Sequence, residues 1–380
     1  MSRRFLTLLG ILTLVHIYVG CRLLPALPIG TAGRLAGALW LTATFLSIPL
    51  SFSARSFRSR VWADRVAGTG LFLAGFFSSL FVFTLLRDVA LAPTVLLVSA
   101  SSVPGVLTGS AILVVTLTVL ATLIGFVNAR RRAGIVRVDI PIRDLPDALH
   151  GFTIAQITDI HVGPTIKRPY VDAIVDAVNA LQADMIAVTG DLVDGSVRDL
   201  AGHTAPLARL TARHGAYFVT GNHEYYSGEP AWTAELQRLG LRVLMNEHVV
   251  LTHEGERLVV AGVADFSAHH FNPRQKSDPE AALRDAPADA GARILLAHQP
   301  RSAPAAAAAG FDLQLSGHTH GGQFWPWMFF VRLQQPFTAG LHRLNDLWVY
   351  ISRGTGYWGP PKRFGSPSEI THLRLVRASA

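Results

Sequence analysis

Long apolar stretches dominate the first 130 residues of this 380-residue chain. Four of them, at 5–21, 35–52, 68–86 and 107–127, are each about 16–21 residues long, close to the roughly 20 residues that cross a hydrocarbon core. They predict about four transmembrane helices. A shorter apolar stretch at 89–100 contains Pro93, and we interpret it as an extension or a re-entrant piece of the third span.

Beyond residue 134 the pattern changes to short apolar runs separated by turn residues, which is typical of strands. Candidate strands are 152–157, 185–189, 216–220, 258–263, 293–297, 311–315, 347–352 and 370–375. Helical spacing of apolar residues appears at 170–181, 232–239 and weakly at 279–284, and the Ala-rich 302–309 suits a short helix. We therefore expect a membrane domain at 1–133 and an α/β domain of layered sheets at 134–380.

Charge is divided unevenly between these two parts. Residues 1–133 contain twelve Arg against two Asp, a net charge of +10, whereas the remainder has 22 basic and 24 acidic residues. The sequence pI near 10.1 therefore belongs to the apolar part, and the slightly acidic soluble part argues against a nucleic-acid partner. One cysteine, Cys21, excludes an intrachain disulfide, so any metal must be held by His, Asp, Glu or Asn.

The arginines also predict the topology. Nine of them precede span one, lie between spans two and three, or follow span four, and three lie in the remaining connections. Because basic residues favour the cytoplasmic side, we expect a multi-pass protein of the cell membrane with a cytoplasmic soluble domain. Residues 1–21 also fit a cleaved signal peptide, which would leave three spans and the same placement.

Polar clusters fall just past the ends of several candidate strands, at the sheet edge where α/β domains bind ligands. They are Asp159-Ile-His161, Gly190-Asp191, Gly221-Asn222-His223-Glu224, His298 and Gly317-His318-Thr-His320. Each alone has an ordinary explanation, because Gly-Asp and Gly-Asn are common in turns and a single His is usually a surface residue. Together they predict a site for two divalent ions, typical of phosphoester hydrolysis.

The order Asp-x-His, Gly-Asp-x-x-Asp, Gly-Asn-His-Glu, a later His and Gly-His-x-His resembles the calcineurin-like metallophosphoesterase superfamily. The strings Ser316-Gly-His-Thr-His-Gly-Gly-Gln323 and Ser352-Arg-Gly-Thr-Gly-Tyr357 resemble its bacterial membrane-associated subgroup. The resemblance covers about residues 140–376. It implies a four-layer α/β/β/α sandwich, in which two mixed sheets pack face to face with helices outside.

The resemblance also implies a role for each residue. Asp159, His161 and His320 would bind one ion, and Asn222, His298 and His318 the second, with Asp191 bridging both. A hydroxide between the ions would attack phosphorus in a phosphodiesterase-like hydrolysis, and His223 would protonate the leaving oxygen. Mixed oxygen and nitrogen ligands suit Mn, Fe, Zn or Co. Asp194 is expected to form hydrogen bonds within the loops, and Glu224 to orient His223.

The segment 324–331 contains five aromatic residues. It is either core packing or a lid, or else an interfacial loop, in which case the substrate would be a lipid or a lipid-linked sugar phosphate. Two alternatives are a catalytically weak membrane sensor or scaffold and a transporter with a regulatory soluble domain. A transporter would need charged residues within its spans, whereas Arg87 and Asp88 are expected at a span end.

A formal dinucleotide fingerprint, G-x-G-x-x-G, runs from Gly354 to Gly359. Such a fingerprint binds nucleotides only where it opens a helix, and here Pro360 and Pro361 follow it. We therefore interpret this segment as a loop beside the site.

Overall fold

The computed structural model describes residues 3–378, which form two compact units. The first contains the chain up to Val127 together with Gly359–Lys362, and the second contains Asn128–Trp358 and the chain from Arg363. The hydropathy pattern predicts a domain boundary between residues 133 and 134. In the structure, the boundary between the two units lies between Val127 and Asn128, within the last long helix.

The first unit is built from four long helices: α1 (Arg3–Leu23), α2 (Gly30–Ser53), α3 (Arg60–Leu97) and α4 (Val103–Arg130). All four are long and apolar enough to cross a membrane. Helix α3 has 38 residues and passes through Pro93 without a break in the helical assignment. The apolar stretch 89–100 is therefore largely an extension of the third span and not a re-entrant piece.

Arg87 and Asp88 lie within α3, which continues to Leu97, and the position of these two residues relative to a span end stays a prediction. Asp88 accepts hydrogen bonds from Tyr18 Oη at 2.7 Å and from Arg22 Nε at 2.6 Å. Arg87 Nε donates to Ser110 Oγ at 2.9 Å. These polar groups therefore connect α1, α3 and α4, which accounts for charged residues between apolar helices.

The segment Gly359–Lys362 belongs to the helical unit although it lies far along the chain. The ammonium group of Lys362 donates to Ser79 Oγ at 2.5 Å, to the Gly75 carbonyl at 3.2 Å and to Thr122 Oγ1 at 3.3 Å. Burial lowers the pKa of Lys362 to about 8. A Cβ on Gly125 would lie 2.6 Å from Lys362 Cγ, so this glycine leaves room for the lysine stem.

Two six-stranded mixed sheets form the centre of the second unit. The first has the order β1 (Gly134–Ile142), β12 (Glu369–Arg377), β2 (Thr153–Ile157), β3 (Met185–Val188), β4 (Ala216–Phe218), β5 (Arg242–Val243). The second has the order β10 (Gly340–Leu344), β11 (Leu347–Ile351), β9 (Leu313–Ser316), β8 (Ala292–Leu296), β7 (Glu256–Gly262), β6 (Glu247–His253). Strands β2, β3 and β4 are parallel, as are β7, β8 and β9.

Helices cover the outer face of each sheet. They are α5 (Arg168–Asn179), α6 (Val197–Thr204) and α8 (Glu229–Arg238) on the first sheet and α9 (Pro279–Ala282) and α10 (Ala303–Ala309) on the second, whereas the short α7 (Asn222–Ser227) follows the end of β4. In α5, Val171, Ile174, Val175 and Val178 are buried at helical spacing and pack on the first sheet together with Trp232 of α8. Helices α9 and α10 pack on the second sheet.

The inner faces of the two sheets share one core. Ile154 and Met185 of the first sheet and Ile294 and Leu313 of the second are fully buried in it. Burying each aliphatic side chain contributes about 1.5–3 kcal/mol, so this layer supplies much of the stability of the unit. The expected α/β/β/α sandwich is confirmed, and it brings the ends of β2, β3, β4, β8 and β9 to one edge.

Candidate metal centre

Every candidate ligand lies within four residues of the C-terminal end of β2, β3, β4, β8 or β9. Five of the seven adopt left-handed backbone conformations with φ between +51° and +68°, namely Asp159, His161, Asp191, His318 and His320. Such φ values are uncommon for residues other than glycine, and they cluster at functional sites, where the surrounding structure holds strained conformations in place.

Asp159, His161 and His320 form the first group of potential ligands, and all three are buried. The two Nε2 atoms of the histidines are 3.0 Å apart, and His320 Nε2 lies 3.4 Å from Asp159 Oδ1. The hydroxyl of Thr158 donates to Asp159 Oδ2 at 2.7 Å, which fixes the carboxylate. Three ligand atoms of this kind at this spacing fit one divalent ion.

The second group contains Asp191, His298 and His318. His298 Nε2 lies 3.1 Å from Asp191 Oδ2 and 3.2 Å from His318 Nδ1. The other ring nitrogen of His298, Nδ1, lies 2.8 Å from the carbonyl of Thr189, a contact that fixes the ring with Nε2 towards Asp191 and His318.

Asn222, the third residue predicted to bind the second ion, follows the end of β4 as the first residue of α7. Its side-chain oxygen Oδ1 is buried and has no hydrogen-bond partner among the described residues 3–378. An unsatisfied buried acceptor costs about 1–3 kcal/mol, and a metal ion beside it would remove that cost. A neutral amide oxygen of this kind is a donor that fits a divalent ion.

Asp191 lies between the two groups. Its Oδ2 atom is 3.1 Å from His298 Nε2 and 3.9 Å from His161 Nε2. Its Oδ1 atom accepts a hydrogen bond from the backbone N–H of His223 at 2.8 Å. One carboxylate therefore reaches a potential ligand of each group, as a shared ligand must.

Glu224 holds the loops around Asp191 in place. Its carboxylate accepts hydrogen bonds from the backbone N–H groups of Asp191, Leu192 and Gly221 at 2.7–2.9 Å. We expected Glu224 to orient the ring of His223, and that expectation was wrong, because its oxygen atoms are used by these three amides.

His223 lies beside both groups, and its Nε2 atom is 4.0 Å from Asp191 Oδ2. Burial alone would lower the pKa of His223, but the carboxylates of Asp191 and Asp194 raise it to about 9. The ring packs edge-on against Tyr226 and Trp358, with centroid distances of 5.2 and 5.7 Å. The two carboxylates therefore favour the protonated imidazolium form of His223, and the two aromatic rings pack around it at the edge of the site.

The pKa values of the two histidines in the Gly-His-Thr-His segment are lowered, in contrast to that of His223. Burial, with the neighbouring His298, lowers the pKa of His318 to about 3. Burial, with Arg363 and His161 nearby, holds the pKa of His320 well below its usual range. Both rings are therefore neutral and keep a nitrogen lone pair, which metal binding requires.

Glycines at the strand ends leave room for the carboxylates. A Cβ on Gly221 would lie 2.2 Å from Asp191 Oδ1, and one on Gly317 would lie 2.1 Å from Asp159 Oδ2. Gly190 has φ +88°, and its Cβ would lie 2.6 Å from the Gly221 amide nitrogen. Any side chain at these positions would displace a potential ligand.

Sequence reasoning missed Arg363, which is almost fully buried. Its Nη1 donates to the carbonyl of His320 at 2.9 Å, its Nη2 lies 3.0 Å from His320 Nδ1, and its Nε donates to the carbonyl of Gly356 at 3.1 Å. It follows Pro360, Pro361 and Lys362, and we find no pattern in the sequence that predicts this role.

The glycine-rich segment from Gly354 to Gly359 is a loop, as expected. The amide of Thr355 donates to the carbonyl of Thr158 at 2.8 Å, and the amide of Gly356 donates to the carbonyl of Asp159 at 3.1 Å. The segment therefore supports the backbone of a potential ligand.

Comparison with known proteins identifies the family of the chain. The family model of the calcineurin-like phosphoesterases matches residues 152–322. An uncharacterized metallophosphoesterase of Aquifex aeolicus is 33% identical over 228 residues, which cover 58% of this chain and 84% of the relative. The chain belongs to the calcineurin-like metallophosphoesterases. The sequence-based prediction of this superfamily is confirmed.

Another relative is named as a transmembrane protein. A "Transmembrane protein with metallophosphoesterase domain" from Danio rerio is 37% identical over 275 residues, covering 70% of this chain and 63% of the relative. The matched region thus spans less than two thirds of that relative. Among solved structures, a dimetal phosphatase from Danio rerio matches with a TM-score of 0.37 and 13% identity, over 54% of this chain and 88% of that one.

Proposed function

We propose that this metallophosphoesterase is a membrane-anchored enzyme that uses two divalent ions to hydrolyse a phosphoester or pyrophosphate bond. Asp159, His161 and His320 hold one ion, and Asn222, His298 and His318 hold the other. The position of Asp191 carries the proposal, because its Oδ2 lies within 3.9 Å of a nitrogen from each group. A carboxylate between two ligand groups is the arrangement that a two-metal hydrolase needs.

The donor set suits Mn, Fe, Zn or Co, because it mixes imidazole nitrogens with carboxylate and amide oxygens. Two such ions supply Lewis acidity, which offsets the negative charge of the phosphate and lowers the pKa of water. The unpartnered Oδ1 of Asn222 and the neutral rings of His318 and His320 support this assignment.

His223 is the proton donor in this proposal. Its Nδ1 faces Asp194 Oδ1 at 2.5 Å, so the proton on Nε2 is the one available to the leaving oxygen. A general acid at this position lowers the barrier for departure of an alkoxide. Asp194 keeps the ring in the required orientation, because its Oδ1 contacts Nδ1 of His223.

The membrane placement follows from the helices and from the distribution of arginine. Four helices are long and apolar enough to span a bilayer, and the arginine-rich connections support a cytoplasmic position for residues 128–358 of a multi-pass protein. The catalytic unit would then work beside the inner surface of the cell membrane.

A lipid or lipid-linked sugar phosphate is the substrate that the site surface favours. The rings of Tyr226 and Trp358 pack against His223, Phe271 packs against Tyr226, and all three rings are about half exposed. In the segment after Gln323, Phe324 is buried whereas Trp327 and Phe329 are exposed. Core packing therefore explains only part of this segment, and exposed aromatic residues favour the headgroup region.

The test uses the full chain in nanodiscs, stripped of metal by a chelator and then titrated with Mn. We expect two equivalents of metal per chain, together with hydrolysis of a chromogenic phosphodiester and of at least one phospholipid or lipid pyrophosphate. Asp191→Asn should lose one or both equivalents, and the paired surface variant Asp139→Asn should keep both. One equivalent or none in the unaltered chain would contradict the two-metal site, and metal binding without hydrolysis would favour a sensor or scaffold.

A further inference from the structure

Gln156 is a polar residue in the apolar layer between the two sheets. It lies on β2, two residues after Ile154, so both side chains point to the same face of the strand. Ile154 belongs to the core that the two sheets share, whereas the intervening Ala155 packs in the core on the outer face. Gln156 is fully buried. Burying an amide in such a layer costs free energy of desolvation, so its hydrogen bonds indicate what it does.

The amide group of Gln156 connects the two sheets. Its Nε2 donates at 2.9 Å to Oγ1 of Thr189, which directly follows β3, and at 3.0 Å to the carbonyl of Ser316, the last residue of β9. Strand β3 belongs to the first sheet and β9 to the second. A carbonyl oxygen only accepts hydrogen bonds, so the NH2 group of the amide, and not its oxygen, faces Ser316. Both strands end at the edge where the potential ligands lie.

The carbonyl of Thr189 contacts residues that serve both proposed ions. Nδ1 of His298, a proposed ligand of the second ion, lies 2.8 Å from this oxygen. The hydroxyl oxygen of Thr158 lies 3.0 Å from it and 2.7 Å from Oδ2 of Asp159, a proposed ligand of the first ion. A shift of Thr189 would therefore disturb a potential ligand in each group.

The carbonyl of Ser316 fixes the other end of this connection. Ser316 is followed in the chain by Gly317 and His318, a proposed ligand of the second ion. The amide nitrogen of His318 lies 3.0 Å from both carboxylate oxygens of Asp159, which comes from β2 in the other sheet. The position of Ser316 therefore determines how the segment with His318 meets the first ligand group.

We propose that Gln156 is a positioning residue of the metal centre, and the inference rests on the proposed two-metal function. Gln156 binds no ion, because its NH2 group is committed to Thr189 and Ser316. It sets the spacing between the ends of β3 and β9, and so between the segments that carry the two ligand groups. Two ions that act together lie about 3.5–4 Å apart, so this spacing decides whether both bind in a productive arrangement.

The experiment replaces Gln156 by Met in the full chain, which keeps the length of the side chain and removes its hydrogen bonds. Gln314→Met is the matched control. Gln314 is also fully buried, and its Nε2 donates to Oγ of Ser316 at 2.9 Å, but that hydroxyl keeps its own bond to the Ala297 carbonyl when Gln314 is lost. Each variant loses one buried amide, so a general loss of stability would lower the melting temperature of the metal-free chain in both.

The affinity for Mn is obtained by competition with a chelator, at a temperature well below the melting temperature of each variant. We expect Gln156→Met to bind about 10–100-fold more weakly and Gln314→Met to stay within about twofold of the unaltered chain. Thr189→Val, which keeps the shape and removes only the acceptor, should bind about threefold more weakly or worse. Because Gln156 and Thr189 act through one hydrogen bond, the double variant should lose no more than Gln156→Met alone.

The possible results separate this role from the two-metal function itself. Fewer than two metal equivalents in the unaltered chain would overturn the two-metal function and, with it, the role of Gln156. Two equivalents in the unaltered chain, with unchanged affinity in Gln156→Met or with equal losses in Gln156→Met and Gln314→Met, would overturn the role of Gln156 alone. If Gln156→Met does not fold, Thr189→Val decides, because unchanged affinity in that variant overturns the proposal and a loss of about threefold or more supports it.

Discussion

Asp194 Oδ1 lies 2.5 Å from Nδ1 of His223. The same oxygen lies 3.3 Å from Nδ1 of His161, so one carboxylate contacts a potential metal ligand and the proposed acid. Burial alone would raise the pKa of Asp194, but His161 and His223 hold it well below its usual range. Asp194 is therefore ionised. It links the orientation of the His161 ring, a proposed metal ligand, to that of the His223 ring, the proposed acid.

Replacement of His223 by Asn separates proton donation from metal binding. Because His223 belongs to neither proposed ligand group, the variant should keep its metal while kcat falls by about 10²–10⁴, the range that a positioned general acid contributes. Metal content by mass spectrometry and turnover of a phosphodiester are measured on the same sample. A matching loss of metal would make His223 a ligand instead.

Gly221→Ala and Gly317→Ala should abolish metal binding although every ligand remains. The added methyl would overlap Asp191 Oδ1 or Asp159 Oδ2 at just over 2 Å, and the carboxylate must move. Metal titration of the purified chain is the measurement. Gly202→Ala is the control, because it lies in α6 with nothing within 4 Å of its Cβ, and a helical alanine is if anything stabilising. Normal metal binding in both site variants would show that the loops can shift.

Arg363→Met should weaken metal binding by about 10–100-fold, the usual effect of removing a group that supports a ligand. The change leaves the carbonyls of His320 and Gly356 without their guanidinium donor in a buried position. The affinity is obtained by competition with a chelator. Arg374→Met, which removes an exposed pair with Asp139, should change nothing measurable. Unchanged affinity in Arg363→Met would limit this arginine to a packing role.

The aromatic segment gives a test of the substrate class. Changing Trp327, Phe329 and Phe330 together to Ser should lower activity on lipid phosphoesters while sparing a small chromogenic diester. All three side chains are exposed, whereas Trp325 is half buried and its replacement would also disturb the fold. Val250→Ser, an exposed apolar residue of β6, is the control. Equal losses on both substrates would remove the argument for a lipid.

The sequence predicted the inner strands of both sheets and missed the outer ones. The four strands without a sequence prediction are β1, β5, β6 and β10, and they are the four edges of the two sheets. An inner strand is buried on both faces and appears as a continuous apolar run, whereas β6 alternates buried and exposed residues and β1 contains Pro141. Apolar runs alone therefore define the middle of such a sheet.

The residues of the site also divide into those that the sequence predicts and those that it does not. The potential ligands lie in short motifs at strand ends, where residue type and local spacing carry the information. Arg363 and Lys362 reach their partners through a loop whose course depends on tertiary packing, and nothing in the neighbouring sequence encodes those partners. Asp194 was assigned only to the loops, because its contact with His223 requires the ends of β3 and β4 to be placed side by side.

The glycines at 221 and 317 have a consequence for recognising degenerate members of this family. A relative could retain all seven ligand types in the right order and still be unable to hold metal, if a side chain occupied either position. An inventory of ligands would count such a protein among the enzymes. Two residues that contribute no atom to the chemistry therefore separate a hydrolase from a protein that only resembles one.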